Sequence, residues 1–218
     1  MPATFAEPPT VADLLRNLGD ISPKRIRLKP APGRGTVQDV VRIEAREDRL
    51  CELIDGVLVE KPMGLTESII GSVIVQYIWN YLDLHDRGIA FNPDAPVRVR
   101  PGRIRFPDTG FVSWERLPNE ELPETWFLDV MADLAVEVLS KSNTPKEMEL
   151  KLDDYFKAGV KLVWYVDPKA ETITVYTARH TNKVLTIDDT LDGGKVLPGF
   201  SLPLKTLFSR AQRRKKKR

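Results

Sequence analysis

The chain of 218 residues has a single cysteine, Cys51. That excludes an intramolecular disulfide and points to a reducing compartment, the cytoplasm. Its two histidines, His85 and His180, show no ligand spacing and read as surface residues. The longest apolar tract, IIGSVIVQYIW, is too short and too interrupted to span a bilayer, so no membrane association is expected. The opening MPATFAEPPT lacks the basic and apolar regions of a signal peptide. No internal repeat is visible. A hydrophobic content of 42% is ordinary for a globular core, and the length suits one domain with additions.

A general basic excess is also missing. Net charge is +2, yet the end RAQRRKKKR alone holds seven basic residues, so residues 1–209 carry a net −5. The body is mildly acidic, and composition alone does not announce a nucleic-acid binder. The tail reads either as an electrostatic tether for a polyanion or as a solvated end that aids solubility.

Prolines crowd the first 36 residues around one amphipathic piece, VADLLRNL, which Thr10 caps and Gly19 ends. A loop, KPAPGRG, then leads to TVQDVVRIEARED, read as a short helix. In LCELIDGVLVEK, Asp55-Gly56 is a hairpin signal between two apolar runs. Thr66 begins the strongest helix pattern. At about 100° per residue, Ile70, Val73, Ile74, Tyr77, Ile78 and Tyr81 share a face. Glu67 lies on that face one turn earlier, either as a first-turn acid favoured by the helix dipole or as a site residue. IAFNPDAPVRVR and RIRFPDTGFVS read as two strands joined at Pro101-Gly102, and DLAVEVLS as the central strand of a covered sheet. Thr144-Pro145-Lys146-Glu147 has the form of a capping box with proline at the first helical position. Its helix runs to Gly159, and KLVWYVDP and TITVYTA add two strands. The order describes an α/β fold with a mixed sheet flanked by helices. Leu150, on the outer side of its helix, marks a candidate homodimer contact.

Two acids sit inside apolar strand sequence, Asp108 beside Pro107 and Glu137 in LAVEV. Proline removes a ladder donor, and a buried carboxylate is costly unless paired or metal-bound. If the two strands are neighbours, both carboxylates converge and repel unless a cation lies between them. Hard oxygen ligands of this kind suit Mg²⁺ or Mn²⁺. The bland alternative is two acids that reach solvent at a strand edge. In the following helix, Lys151 lies about 60° from Met148 and flanks the apolar stripe, whereas Lys146 and Lys157 face water. Lys151 is then either directed at Glu137 or a boundary lysine whose stem covers apolar surface. Acid, acid and lysine at one point form a phosphodiesterase constellation, with Asp108 and Glu137 holding the metal and Glu67 available to complete the ligand set.

At these residues the sequence resembles the Uma family of restriction-endonuclease-like nucleases, in the PD-(D/E)XK superfamily. CELIDGVLVE, FPDTGFVSWERLP, DLAVEVLS, YFKAGVKLVWYVDP and DDTLDGGKVLPGFSLPLKTLF carry the resemblance. It implies an αβββαβ core, Pro107-Asp108 as the PD motif and Glu137 as the acid of the third strand. Leu139 stands where the superfamily pattern has lysine; the family is similar in this respect, and Lys151 would substitute from the helix. Glu52 matches a family acid and is a candidate supporting acid, while Glu67 stands where many members carry histidine. The expected division is an N-terminal helical and hairpin extension over 1–36, the nuclease-like domain over 37–208 and a basic disordered tail over 209–218. The expected activity is Mg²⁺-dependent hydrolysis of phosphodiester bonds, with DNA as the partner. A catalytically silent member that binds nucleic acid or protein, and a hydrolase of a smaller phosphoester, remain open beside it.

Overall fold

The prolines mark where the chain passes from one sheet to another. The computed structural model describes residues 10–62, 64–124, 128 and 130–211. Helix α1 (Val11–Asn17) starts at Thr10, whose side chain accepts from the Asp13 N–H. Helix α2 (Val37–Glu47) opens on a complete capping box between Thr36 and Asp39, which satisfies two otherwise orphaned donors. Strands β1 (Cys51–Ile54) and β2 (Val57–Glu60) form a hairpin whose turn residues, Asp55 and Gly56, have φ of +50° and +79°. Both signs are those a type I′ turn requires. The apolar stripe seen in the sequence folds as α3 (Leu65–Leu82), with Ile70, Val73, Ile74, Ile78 and Tyr81 buried.

Strands β3 (Gly88–Phe91), β4 (Val97–Arg100), β5 (Arg103–Arg105) and β6 (Thr109–Ser113) correct the reading of IAFNPDAPVRVR and RIRFPDTGFVS as two unbroken strands. Each stretch splits between two sheets. One sheet has the order β2-β1-β5-β4. The other contains β3 and β6 together with β7 (Leu134–Val138), β8 (Leu162–Asp167), β9 (Thr172–Ala178) and β10 (Thr181–Leu185), in the order β10-β9-β8-β7-β6-β3. Pro107 has no N–H to extend the first ladder. The next residue, Asp108, donates its N–H to Val136 O at 2.9 Å and so starts pairing in the second. Pro107-Asp108 is therefore the crossing point between sheets.

Strands β7 and β8 run parallel, joined by α4 (Pro145–Lys157); the remaining pairs in this sheet are antiparallel. Alternation along β7 sends Leu134, Val136 and Val138 to the face covered by α3 and by α5 (Leu204–Ala211). Ala135 faces the other way, into a cluster with Met148, Leu152 and Tyr155 of α4. Glu137 shares that second face by the two-residue period. A two-stranded ribbon of β11 (Thr190–Gly193) and β12 (Leu197–Pro203) precedes α5. Within 10–36, Leu14, Leu18 and Ile21 pack on Ile54, Val57 and Val59 of the hairpin. Ser209–Ala211, expected in the tail, continue α5 instead, and Arg210 stacks over Tyr77 and donates to Gln76 Oε1 at 2.9 Å. The remaining tail, 212–218, lies outside the described residues. Among the described residues no helix is long and apolar enough to cross a membrane.

The second position of the hairpin turn has no room for a side chain. A Cβ on Gly56 would lie 2.4 Å from Gly33 O, at a φ that already disfavours L-residues. Gly56→Ala is expected to cost about 3 kcal/mol in urea unfolding. Gly199→Ala, with φ +88° but no atom within 4 Å of the added carbon, should cost only about 1 kcal/mol.

Candidate active site

Four segments bring charged groups to one point beneath α4. Thr144 Oγ1 accepts from the Glu147 N–H at 3.0 Å and sets the start of the helix. The Glu147 carboxylate, expected to close a capping box, turns to Arg25 (2.8 Å) and Asn143 (3.1 Å). Two turns into the helix, Lys151 is only 2% exposed. Its Nζ lies 3.1 and 3.0 Å from the two Glu137 carboxylate oxygens and 3.0 Å from Glu52 Oε1. Tyr155, one turn further, donates its hydroxyl to Glu137 Oε1 at 2.5 Å.

Asp108 is held from both sides at the sheet crossing. Its Oδ2 accepts from the Val138 N–H at 2.7 Å, and its Oδ1 pairs with Lys61 Nζ at 2.7 Å. Lys61 follows β2 directly and also donates to Phe106 O at 2.5 Å. Asp108, Glu137, Lys151, Lys61, Glu67 and Arg25 all line one cavity of about 40 Å³. Room of that size holds a few solvent-sized groups. At Glu67, Ser140 and Asn143 it adjoins an open groove of about 1040 Å³, whose lining includes Lys141, Lys169, Arg179 and His180.

Glu52 lies behind this cavity, wholly buried, in a chain of ion pairs. Arg105 Nη1 donates to Glu52 Oε2 at 2.7 Å, while its Nε and Nη2 donate to Asp154 Oδ2 at 3.0 and 2.6 Å. Arg103 reaches the other Asp154 oxygen at 2.5 Å. Burial opposes ionisation of Glu52, but the charges of Lys151, Arg105 and Lys61 outweigh it and hold its carboxyl well below the usual range. Glu137 goes the opposite way. Burial raises it, Lys151 offsets part of the rise, and the neighbouring Asp108 charge adds to it. Burial also works against the Lys151 cation, yet Glu137 and Glu52 dominate and raise its pKa. Lys151 is thus a fixed positive charge at neutral pH, suited to stabilising negative charge and unsuited to acting as a base.

The structure brings Asp108, Glu137 and Lys151 together as the sequence reading expected, but with different charge compensation. Lys151 pairs with Glu137, the first of its two sequence readings, while Lys61 stands against Asp108, where the sequence reading placed only a metal. Glu67 reaches the same cavity, but among the described residues no three His, Cys, Asp or Glu side chains form a metal-ligand cluster. Its carboxylate instead folds back over Gly64, where an added Cβ would lie 2.0 Å from Glu67 Oε2. The carboxylates of Asp108 and Glu137 are hard oxygen donors of the type a divalent cation takes, and among the described residues they belong to no all-protein cage.

Sequence reasoning missed Lys61, Arg105 and Arg25. Arg105 showed the same signal as Glu137, a charge inside a buried strand run, and Glu52 in CELI was its complement. Lys61 ends an apolar strand, a weaker signal, and Arg25 is one basic residue among several in PKRIRLK. Removing one member of the buried chain leaves the others uncompensated. Arg105→Met is expected to lower stability by about 3–5 kcal/mol in denaturant unfolding. Arg105→Met combined with Glu52→Gln should cost less than the two single losses added together.

The family model described as "Uma2: Putative restriction endonuclease" matches residues 37–205. A solved structure, described as a "putative nuclease belonging to DUF820 from Anabaena variabilis ATCC 29413", is similar with a TM-score of 0.67 at 24% identity. The likeness covers 76% of this chain and 93% of that one, and at this identity it speaks for the fold. No curated protein matches. The family match takes in Glu52, Asp108, Glu137 and Lys151 and leaves α1 and Arg25 outside it. With most of its length matched, the chain belongs to the Uma2 family of restriction-endonuclease-like proteins.

Proposed function

We propose that the protein is a Mg²⁺- or Mn²⁺-dependent nuclease that hydrolyses phosphodiester bonds in DNA. The observation that carries this reading is Lys151, buried and held by Glu137 and Glu52, on the wall of the cavity that Asp108 also lines. Asp108 and Glu137 would hold the cation. A divalent ion bound there supplies polarisation of a phosphate oxygen and a lowered pKa for a bound water. Lys151 presents its ammonium to charge that develops on the phosphate oxygens, and Glu52 keeps that ammonium charged and in place. Tyr155 and Lys151 fix the Glu137 carboxylate, while the Val138 N–H fixes Asp108. The adjoining open groove, lined by Lys141 and Lys169 beside Glu67, Glu149 and Asp167, gives an extended substrate a path to the cavity.

One observation favours the second reading, a member of the fold that binds nucleic acid without cleaving it. Both carboxylates already have lysine partners, so the cavity is charge-balanced without a metal. Incubating supercoiled plasmid with Mg²⁺, Mn²⁺ or EDTA separates the two. Nicking that EDTA abolishes supports the nuclease; binding without nicking in either metal supports the silent member.

Two substitutions sharpen the assignment. Asp108→Asn should abolish nicking and also remove Mn²⁺ binding measured by electron paramagnetic resonance. Retained Mn²⁺ affinity in that variant would remove Asp108 from the ligand set. Lys151→Met should slow cleavage by roughly two orders of magnitude, the loss of a transition-state contact of ~3 kcal/mol. Lys157→Met, at a side chain 76% exposed, should cleave at the wild-type rate, and equal slowing in both variants would reject the role of Lys151.

A further inference from the structure

Arg25 reaches the cavity from a segment that the family match does not cover. It ends a 3-10 turn at Pro23–Arg25, and only 8% of its surface is exposed. Two of its three guanidinium nitrogens are engaged: Nε donates to Glu60 O at 2.9 Å, and Nη2 pairs with Glu147 Oε1 at 2.8 Å. The third, Nη1, is buried and has no hydrogen-bond partner among the described residues. Buried donors are almost always paired, and an unpaired one costs stability unless something else claims it. The same side chain lines the cavity with Lys61, Asp108, Glu137 and Lys151.

We propose that Arg25 is a phosphate-binding residue, with Nη1 donating to a non-bridging oxygen of the phosphodiester drawn into the cavity. Glu60 O and Glu147 hold the planar guanidinium from two sides and leave the Nη1 amino group unpaired, a pre-organised donor of the kind that suits phosphate oxygens. Lys61 and Lys151 on the same walls add positive charge for the same group. The segment packed on the β1–β2 hairpin through Leu14, Leu18 and Ile21 thereby completes the site. This inference rests on the nuclease reading above and adds to it a residue from outside the matched region.

The test uses the whole protein, labelled with ¹⁵N-arginine. The Arg25 guanidinium resonance, assigned by its disappearance in Arg25→Lys, is followed during titration with inorganic phosphate and with a short DNA duplex in EDTA. Sodium chloride at equal ionic strength serves as the control. A saturable shift with phosphate and with DNA, absent with chloride, is expected; an Arg25 signal unmoved by both anions overturns the proposal. In the kinetic arm, Arg25→Gln should lower kcat/KM at least tenfold, with partial recovery in Arg25→Lys and melting temperature followed in parallel. Wild-type kcat/KM in Arg25→Gln also overturns it. If Arg25→Gln does not fold, the wild-type resonance and the Arg25→Lys kinetics decide. The two readings fail separately. A protein that cleaves nothing while its Arg25 signal still answers to phosphate keeps the anion site and loses the nuclease. A protein that cleaves DNA while Arg25 stays silent keeps the nuclease and loses this inference.

Discussion

The ion pairs of Lys151 with Glu137 and Glu52 are the constraint on which the rest of the site depends. All three groups are removed from water, where a lone charge would be prohibitive and a pair is sustained only by close geometry and further hydrogen bonds. Those further bonds come from Tyr155 to Glu137 and from Arg105 to Glu52. Asp154 then holds Arg105 and closes the path back onto the helix that carries Lys151. Each charge is compensated by another that is itself anchored, so the ammonium has little freedom to leave the cavity wall.

This network also explains why the fold needs two sheets at one place. Glu52 and Arg105 belong to the sheet β2-β1-β5-β4, whereas Glu137 lies on the central β7 of the other. Helix α4 supplies Lys151, Asp154 and Tyr155 between them. The chain crosses from β5 to β6 at Pro107-Asp108, which leaves the Asp108 carboxylate beside β7 with a backbone donor from Val138. A proline that would damage a continuous strand is accommodated here because one ladder ends and the next begins around it.

Opposite protonation tendencies of the two buried glutamates follow from the same layout. Glu52 has cations on both sides and is held ionised, so it works as an anchor. Glu137 is raised first by its burial, and the neighbouring Asp108 carboxylate adds to a rise that Lys151 offsets only in part.

Local pattern alone determined a good deal of this protein. Asp55-Gly56 specified its hairpin, the 3.6-residue stripe specified α3, and Thr144-Pro145 specified the start of α4. Glu137 stood out as a charge in an apolar strand, and helical angle separated Lys151 from Lys146 and Lys157. These features depend on neighbours a few residues away, and that is the range over which periodicity and capping act. Only the tertiary structure decided the division of RIRFPDTGFVS between two sheets, the lysine beside Asp108, the turning of Glu67 over Gly64 and the entry of Arg25. Arg105 meets Glu52 across 53 residues of chain and Asp154 across 49. Which distant charges meet is settled by the packing of whole elements, since a buried ion accepts whichever opposite charge the fold delivers within reach, and no local period encodes that choice.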